Sequence, residues 1–337
     1  MSNSRGTLGM NAGQIVGIGA LMVAWSAAAV AEAYKAPRLA DGTPDLQGVW
    51  TNATATPMER PIEFGNRRAF TQEEAAAIEE EARGRVAADA APSDPNKKIE
   101  AAASLPPVGN YNLFWTDRGM TAALINGEYR TSVLIEPANG RFPPLTAAAA
   151  QRERPRRMGA ADGPEQRSLG ERCLLSFGSS GGPPMLPTMY NSYYQIVQSP
   201  DHVMILVEMV HDARIIRIGD QHLTSGMKKW MGDSVGHWEG DSLVVRTKNF
   251  RPDQSFRGSS ENMVVTERFT RVAADQILYR FTVEDPTTFT APFTGELPFT
   301  AVDSSVYEYA CHEGNYALPG ILAAEREAEK AAATAGQ

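Results

Sequence analysis

The sequence predicts a mainly β protein: an antiparallel, lipocalin-like barrel or strongly curved sheet, with an N-terminal arm, one short helix and a C-terminal helix. Three observations carry this expectation. From residue 190 to about residue 310, short runs of alternating apolar and polar residues follow one another. Turn signals such as Pro200-Asp201, Gly219-Asp220 and Ala273-Ala274-Asp275 separate them, with no helical stretch between. Helix signals are confined to one segment opening at Thr71 and another opening at Pro319. A β-sandwich is the rival arrangement. A closed barrel has the advantage of removing edge strands, and it leaves a pocket in its mouth.

Residues 1–33 read as a secretory signal peptide. Arg5 precedes an apolar run from Ile15 to Ala31, and both Ala29-Val30-Ala31 and Ala31-Glu32-Ala33 fit the small-x-small cleavage rule. The competing reading is a retained anchor. The run is about 17 residues, at the lower limit for a span, and Gly17, Gly19 and Ser26 weaken it. No Cys follows it and no Arg-Arg pair precedes it, which argues against lipoprotein and twin-arginine export. The mature chain is therefore expected in the periplasm or secreted, with no stable membrane insertion.

Residues 34–189 read as an arm, a helix and strands wrapping the core. Asp41 to Trp50 is a turn leading into a short strand, with Trp50 as its anchor. Thr71 and Glu74 form a capping box for a helix reaching about Val86. Pro92, Pro95, Pro106 and Pro107 make residues 87–110 a loop. Arg130 to Glu136 is a strand stopped by Pro137. Residues 146–168 suggest a short helix and a surface excursion. Gly178 to Pro184 lacks the lysine of a phosphate loop and reads as a turn.

Residues 190–318 read as a β-meander core. Its strands are Tyr194–Gln198, Val203–Val210, Arg214–Ile218, Ser242–Thr247, Met263–Val272, Ile277–Val283, residues 294–301 and Ser305–Ala310. Residues 319–337 form the C-terminal helix and tail.

The formal net charge is -8, with both signs spread along the chain and no basic stripe, which argues against a nucleic-acid partner. In an oxidising compartment the two cysteines, Cys173 and Cys311, are more readily joined than free. Closing so long a loop contributes about 4–5 kcal/mol on the entropic account; two buried thiols that never meet is the alternative. The five histidines show no HExxH spacing and there is no CxxC, so no metal or other cofactor is expected, although a site assembled only in three dimensions stays open.

Strand period sorts the candidate chemical groups. If Val203 to Ile216 stays extended, Glu208, Asp212 and Arg214 share one face and His211 the other. Arg214 would then be a partner for Asp212, either in an ordinary rim ion pair or in a site. Asp233 in Trp230-Met231-Gly232-Asp233-Ser234, and Glu261 in Phe256-Arg257-Gly258-Ser259-Ser260-Glu261, lie in Gly/Ser-rich loops suited to sites or to local capping. Along an extended strand Glu308 and His312 share a face, and His312 suits proton transfer near neutral pH. The expected catalytic set is His211, Asp212, Arg214, His312, Asp233 and Glu261. Glu284-Asp285 point in opposite directions and are no glycosidase pair.

Several stretches resemble a large family of exported, mainly uncharacterised bacterial proteins. They are Pro44 to Asn52, Glu59-Arg60-Pro61, Glu171-Arg172-Cys173, His211 to Arg214, Trp230 to Ser234, Trp238 to Asp241, Phe256 to Glu261, Glu267-Arg268-Phe269 and Tyr307 to Tyr316. The resemblance implies export and brings no activity with it. From the residues themselves, the leading expectation is a cofactor-independent acid/base enzyme. It would be a lyase or isomerase acting on a small apolar or aromatic molecule, plant phenolics among the candidates. A non-catalytic, lipocalin-like binder of a small hydrophobic ligand is the alternative, and a metal-dependent hydrolase the third reading. N-terminal sequencing of exported protein should find Glu32 or Tyr34 first; full-length chain found only in membranes would contradict the signal peptide.

Overall fold

The computed structural model describes residues 34–90, 117–152, 161–176, 179, 181–224, 226–252 and 256–335. The expected signal peptide lies outside them, as does most of the 87–110 loop. Lys35 onward forms one compact unit. Its elements, in chain order, are β1 (Gly48–Thr51), β2 (Ala69–Phe70), α1 (Gln72–Asp89), β3 (Leu124–Ile125), β4 (Glu128–Arg130), β5 (Leu134–Glu136), α2 (Ala147–Gln151), β6 (Tyr193–Gln198), β7 (His202–Val207), β8 (Ala213–Ile218), β9 (Asp233–Glu239), β10 (Ser242–Lys248), β11 (Val264–Ala273), β12 (Gln276–Glu284), β13 (Phe293–Ala301) and α3 (Ala317–Ala335).

The strands β1-β6-β7-β8-β9-β10-β11-β12-β13 pair in that order, and β13 pairs back onto β1. The result is a closed nine-stranded barrel, with β5 pairing on the same edge of β13 as β1, further back along the strand. A ring can alternate strand direction throughout only with an even number of strands. Nine therefore forces one parallel pair, and it falls at β8–β9, with Ile216 opposite Ser234. The parallel register requires the connection between Ile218 and Asp233 to return the chain to the level at which β8 begins. The small sheet β2-β4-β3 lies over the outer face of β13, where Arg130 and Arg68 both donate to the buried carboxylate of Glu296.

Alternation decides which side chains fill the barrel. On β12, Ile277, Tyr279, Phe281 and Val283 point inward; on β13, Phe293, Leu297 and Phe299 do. Gly295 completes that inward row because a Cβ there would sit 2.3 Å from the Phe281 ring. With Trp50, Tyr194 and Phe269 these aromatics belong to one buried core cluster inside the barrel. Residues 181–187 cap one end. The Met185 N–H donates to the Tyr279 hydroxyl at 2.9 Å, and Asn52 Nδ2 donates to the Met185 carbonyl at 3.2 Å.

Inside lies a buried ion pair. Arg214 of β8 forks onto both carboxylate oxygens of Glu267 on β11. The guanidinium also donates to Ser234 Oγ and Thr247 Oγ1, and the Tyr279 hydroxyl donates to Glu267. Both charged residues are at most 2 % exposed. Such a pair stabilises only if its geometry and remaining hydrogen bonds are complete, and here five strands supply them.

Several expectations meet corrections. The core is not a pure meander: β9, part of which reads as a loop in the sequence, inserts through the parallel crossover. Ser305–Ala310 is not a strand, so alternation says nothing about Glu308 and His312. Arg130–Glu136 breaks into β4 and β5 around buried Thr131 and Ser132. The strand expected through Val210 stops at Val207, where the backbone turns sharply. Of the Gly/Pro segment read as a turn, residues 179 and 181–184 are described; they bend and form part of the barrel's cap. Helix α1 starts from the Thr71/Glu74 capping box as expected, and the Cys173–Cys311 disulfide is formed.

Glu267→Ala should cost about 3–5 kcal/mol in denaturant unfolding, because it strands a buried guanidinium. Arg214→Met combined with Glu267→Leu should recover most of that loss. Equal losses in both variants would mean that the pair is not acting as a unit.

Candidate functional site

The chain's sharpest backbone feature is the corner between β7 and β8. Glu208 is followed by Met209, then Val210 at φ 62 and His211 at φ 46. A β-branched residue in the left-handed region is an outlier costing on the order of 1–3 kcal/mol, held only when its surroundings over-determine it. Here they do. Met209 and Val210 are buried in the core, the His211 N–H donates to the Glu208 carbonyl at 3.2 Å, and the Val207 N–H donates to the Asp212 carbonyl at 2.8 Å. The kink breaks the alternation expected from the sequence, so Glu208 belongs to a different environment from Asp212 and Arg214.

Asp212 sits at the end of the barrel beside Val207 and beneath Gly181 of the cap; a Cβ on Gly181 would lie 3.4 Å from Asp212 Oδ2. That oxygen is buried and has no hydrogen-bond partner among the described residues. Burial pushes the carboxyl up to about 6, with the neighbouring His211 imidazole opposing. The expected relief from Arg214 is absent, because Arg214 is spent on Glu267 inside the barrel.

His211 is exposed, and its Nδ1 lies 2.9 Å from the Tyr309 carbonyl. A carbonyl only accepts, so Nδ1 carries a proton, and Nε2 is the ring nitrogen left to other partners. Tyr309 belongs to a strap, residues 302–316, that crosses this end of the barrel. Three attachments hold it there. The Tyr307 N–H donates to Glu208 Oε2 at 2.9 Å, the disulfide joins Cys311 to Cys173, and Asn315 Nδ2 donates to the Glu171 carbonyl at 2.7 Å. Glu208 is thus a paired anchor, also accepting from Asn191 Nδ2. Tyrosines surround the corner. Burial and its hydrogen bond to Tyr190 raise Tyr309 to about 12; burial and Asp117 do the same for Tyr193.

The structure brings together only His211 and Asp212 of the expected catalytic set. Arg214 lies in the barrel interior. Asp233 is fully buried against the outer wall, where it accepts from Arg217, His222 Nδ1 and the Leu223 N–H. Burial alone would raise it; the Arg217 guanidinium and the Leu223 N–H outweigh that and hold it at about 2. Asp233 clips the β8–β9 crossover and is no proton donor near neutral pH. Gly232 beside it must lack a side chain, since a Cβ would meet Thr247 at 2.7 Å at φ +70. Glu261 is exposed and pairs with Lys228. His312 is exposed next to the disulfide, and its imidazole makes no hydrogen bond among the described residues. Reasoning from sequence did not single out Tyr193, Tyr309 or Gly181. Only the doubled tyrosines at 193–194 and in Tyr307-Glu308-Tyr309 gave a signal.

Among the described residues, the carboxylates grouped closely enough to hold a metal are Asp162, Glu325 and Glu329, on the surface and without a histidine; Glu329 is already paired with Arg326. No family model, no curated protein and no solved structure matches this chain.

Asp212 gives the site a pH signature. An unfolded aspartate titrates near 3.9, while the folded one holds its proton to about 6. Stability from this group is therefore fully present below about pH 4 and is lost as pH rises through 6. Asp212→Asn should unfold at a higher temperature than the parent at pH 7–8, by on the order of 2 kcal/mol after allowance for partial exposure, and the difference should vanish below pH 4. A constant difference across that range would mean that Asp212 titrates normally.

Proposed function

We propose that the chain is an acid/base enzyme whose general base is Asp212, with His211 Nε2 as the second proton-handling group. The observation that carries this reading is the buried, unpartnered Asp212 Oδ2 on a carboxyl raised to about 6 at a strained corner. A base whose pKa lies just below neutral is ionised at pH 7 yet remains strongly basic. An unpaired buried polar atom needs a reason, and a substrate proton supplies one. Strain and perturbed titration at one place are a frequent mark of a site.

The chemistry that follows is proton abstraction from a small molecule resting against the strap, Asp212 taking the proton and His211 returning one at a second atom. That is the requirement of an isomerase or a lyase. The tyrosines around the corner favour an aromatic or otherwise apolar substrate. Three of the stretches that resemble exported bacterial proteins, Pro44 to Asn52, His211 to Arg214 and Tyr307 to Tyr316, have residues at or just inside this end. The disulfide supports work in an oxidising compartment. No helix among the described residues is long and apolar enough to cross a membrane.

The test is solvent exchange. In D2O, a panel of small aromatic compounds with an acidic C–H should take up deuterium in the presence of the protein, followed by proton NMR. The rate should rise with pH through about 6 and level off, as ionisation of Asp212 demands. Asp212→Asn should lower it about 10²–10⁴-fold without loss of fold. Exchange that survives Asp212→Asn would overturn the assignment.

A further inference from the structure

A second feature lies apart from the corner. An open groove of about 390 Å³ runs between the loop 256–262 and the end of α2. One carboxylate fixes its walls. Asp285, 2 % exposed, accepts from the Ser260 N–H and hydroxyl on one side and from the Thr287 and Thr288 hydroxyls on the other. Arg257 at φ 52 and Gly258 at φ 83 turn the loop so that Ser259 follows directly. Ser259 lines the groove, is 3 % exposed, and its hydroxyl has no partner among the described residues.

The rest of the lining is balanced in charge. Arg152 donates through Nη2 to Thr287 and Thr288, leaving Nε and Nη1 unengaged among the described residues. Glu261 gives one oxygen to Lys228 and keeps the other. The Asn262 side-chain amide is likewise unengaged among the described residues. Ala148 and Pro252 supply a small apolar wall.

We propose that this groove binds a neutral saccharide of one or two rings. An anion would meet Glu261 and a cation would meet Arg152, so neither sign is favoured. Vicinal ring hydroxyls satisfy both at once, donating to the free Glu261 oxygen and accepting from Asn262 and Arg152. The Ser259 hydroxyl, which the fold leaves without a partner, gains one from the ligand. The C–H face of the ring rests on Ala148 and Pro252. With no aromatic platform, affinity is in the millimolar range.

Saturation-transfer NMR on the full chain, with cellobiose, maltose and diacetylchitobiose as probes, tests this. At least one should receive transfer and titrate with a millimolar Kd. Glu261→Gln and Asn262→Ala, both at exposed positions, should weaken it about tenfold at unchanged melting temperature, and Ser259→Ala should weaken it too. No transfer to any of the three at about 50 mM, well beyond that affinity, would overturn the proposal. So would transfer that the Glu261 and Asn262 variants leave intact. Amide shifts in the groove on adding sulfate but not sugar would make it an anion site and overturn it as well.

Discussion

The ion pair between Arg214 and Glu267 is the interaction on which the barrel is organised. It lies between strands that are not neighbours, β8 and β11, and it takes in Ser234 and Thr247 from the two strands between them and Tyr279 from the next. Desolvating two charges is costly, and only complete pairing offsets the cost. A slip of any of these strands by one residue would carry its polar group to the outer face and leave a charge stranded. Register and strand order are thereby coupled across more than half the ring. The cap depends on the same network, since Tyr279 accepts from the Met185 N–H while donating to Glu267.

The odd number of strands has consequences of its own. It imposes one parallel step, the parallel step needs a long crossover, and the crossover needs fastening. Asp233 provides it, accepting from side chain and backbone at once. A carboxylate so thoroughly hydrogen-bonded stays ionised far below neutral pH. Asp212 shows the converse: a desolvated carboxylate whose buried Oδ2 has no partner among the described residues is pushed toward neutrality. Two aspartates near the ends of adjacent strands acquire opposite properties from their partners alone.

Aromatics and the ion pair lie inside the barrel, while the unpartnered Asp212 carboxyl lies at its rim. There the cap, the strap and the β7–β8 corner converge, and two of the three are fixed by groups remote in sequence. The disulfide spans 138 residues to hold the strap where Tyr309 can orient His211. The Asp285 hub likewise joins two segments into the walls of the groove.

Much of the fold was legible in local pattern. The period-two runs located β6, β7, β8, β10, β11, β12 and β13, because inward and outward residues alternate wherever one face is core. The capping box placed α1, and the two cysteines, read as lying in an oxidising compartment, anticipated their bond. His211 and Asp212 were legible as ionisable groups at the end of an apolar strand; Glu208, which interrupts that run, anchors the strap instead. What the sequence could not determine is partnership. Arg214 is two residues from Asp212, yet it binds Glu267, because Val210 and His211 turn the backbone and because β11 comes close only once the ring is closed. Asp233 and Asp212 look alike as residues, but hydrogen-bond donors from other segments reach Asp233, while Asp212 Oδ2 has no partner among the described residues. The local sequence sets periodicity and capping, which act over a few residues. Which charge is neutralised, and which is left poised, depends on closure of the barrel, a long-range event that no local pattern records.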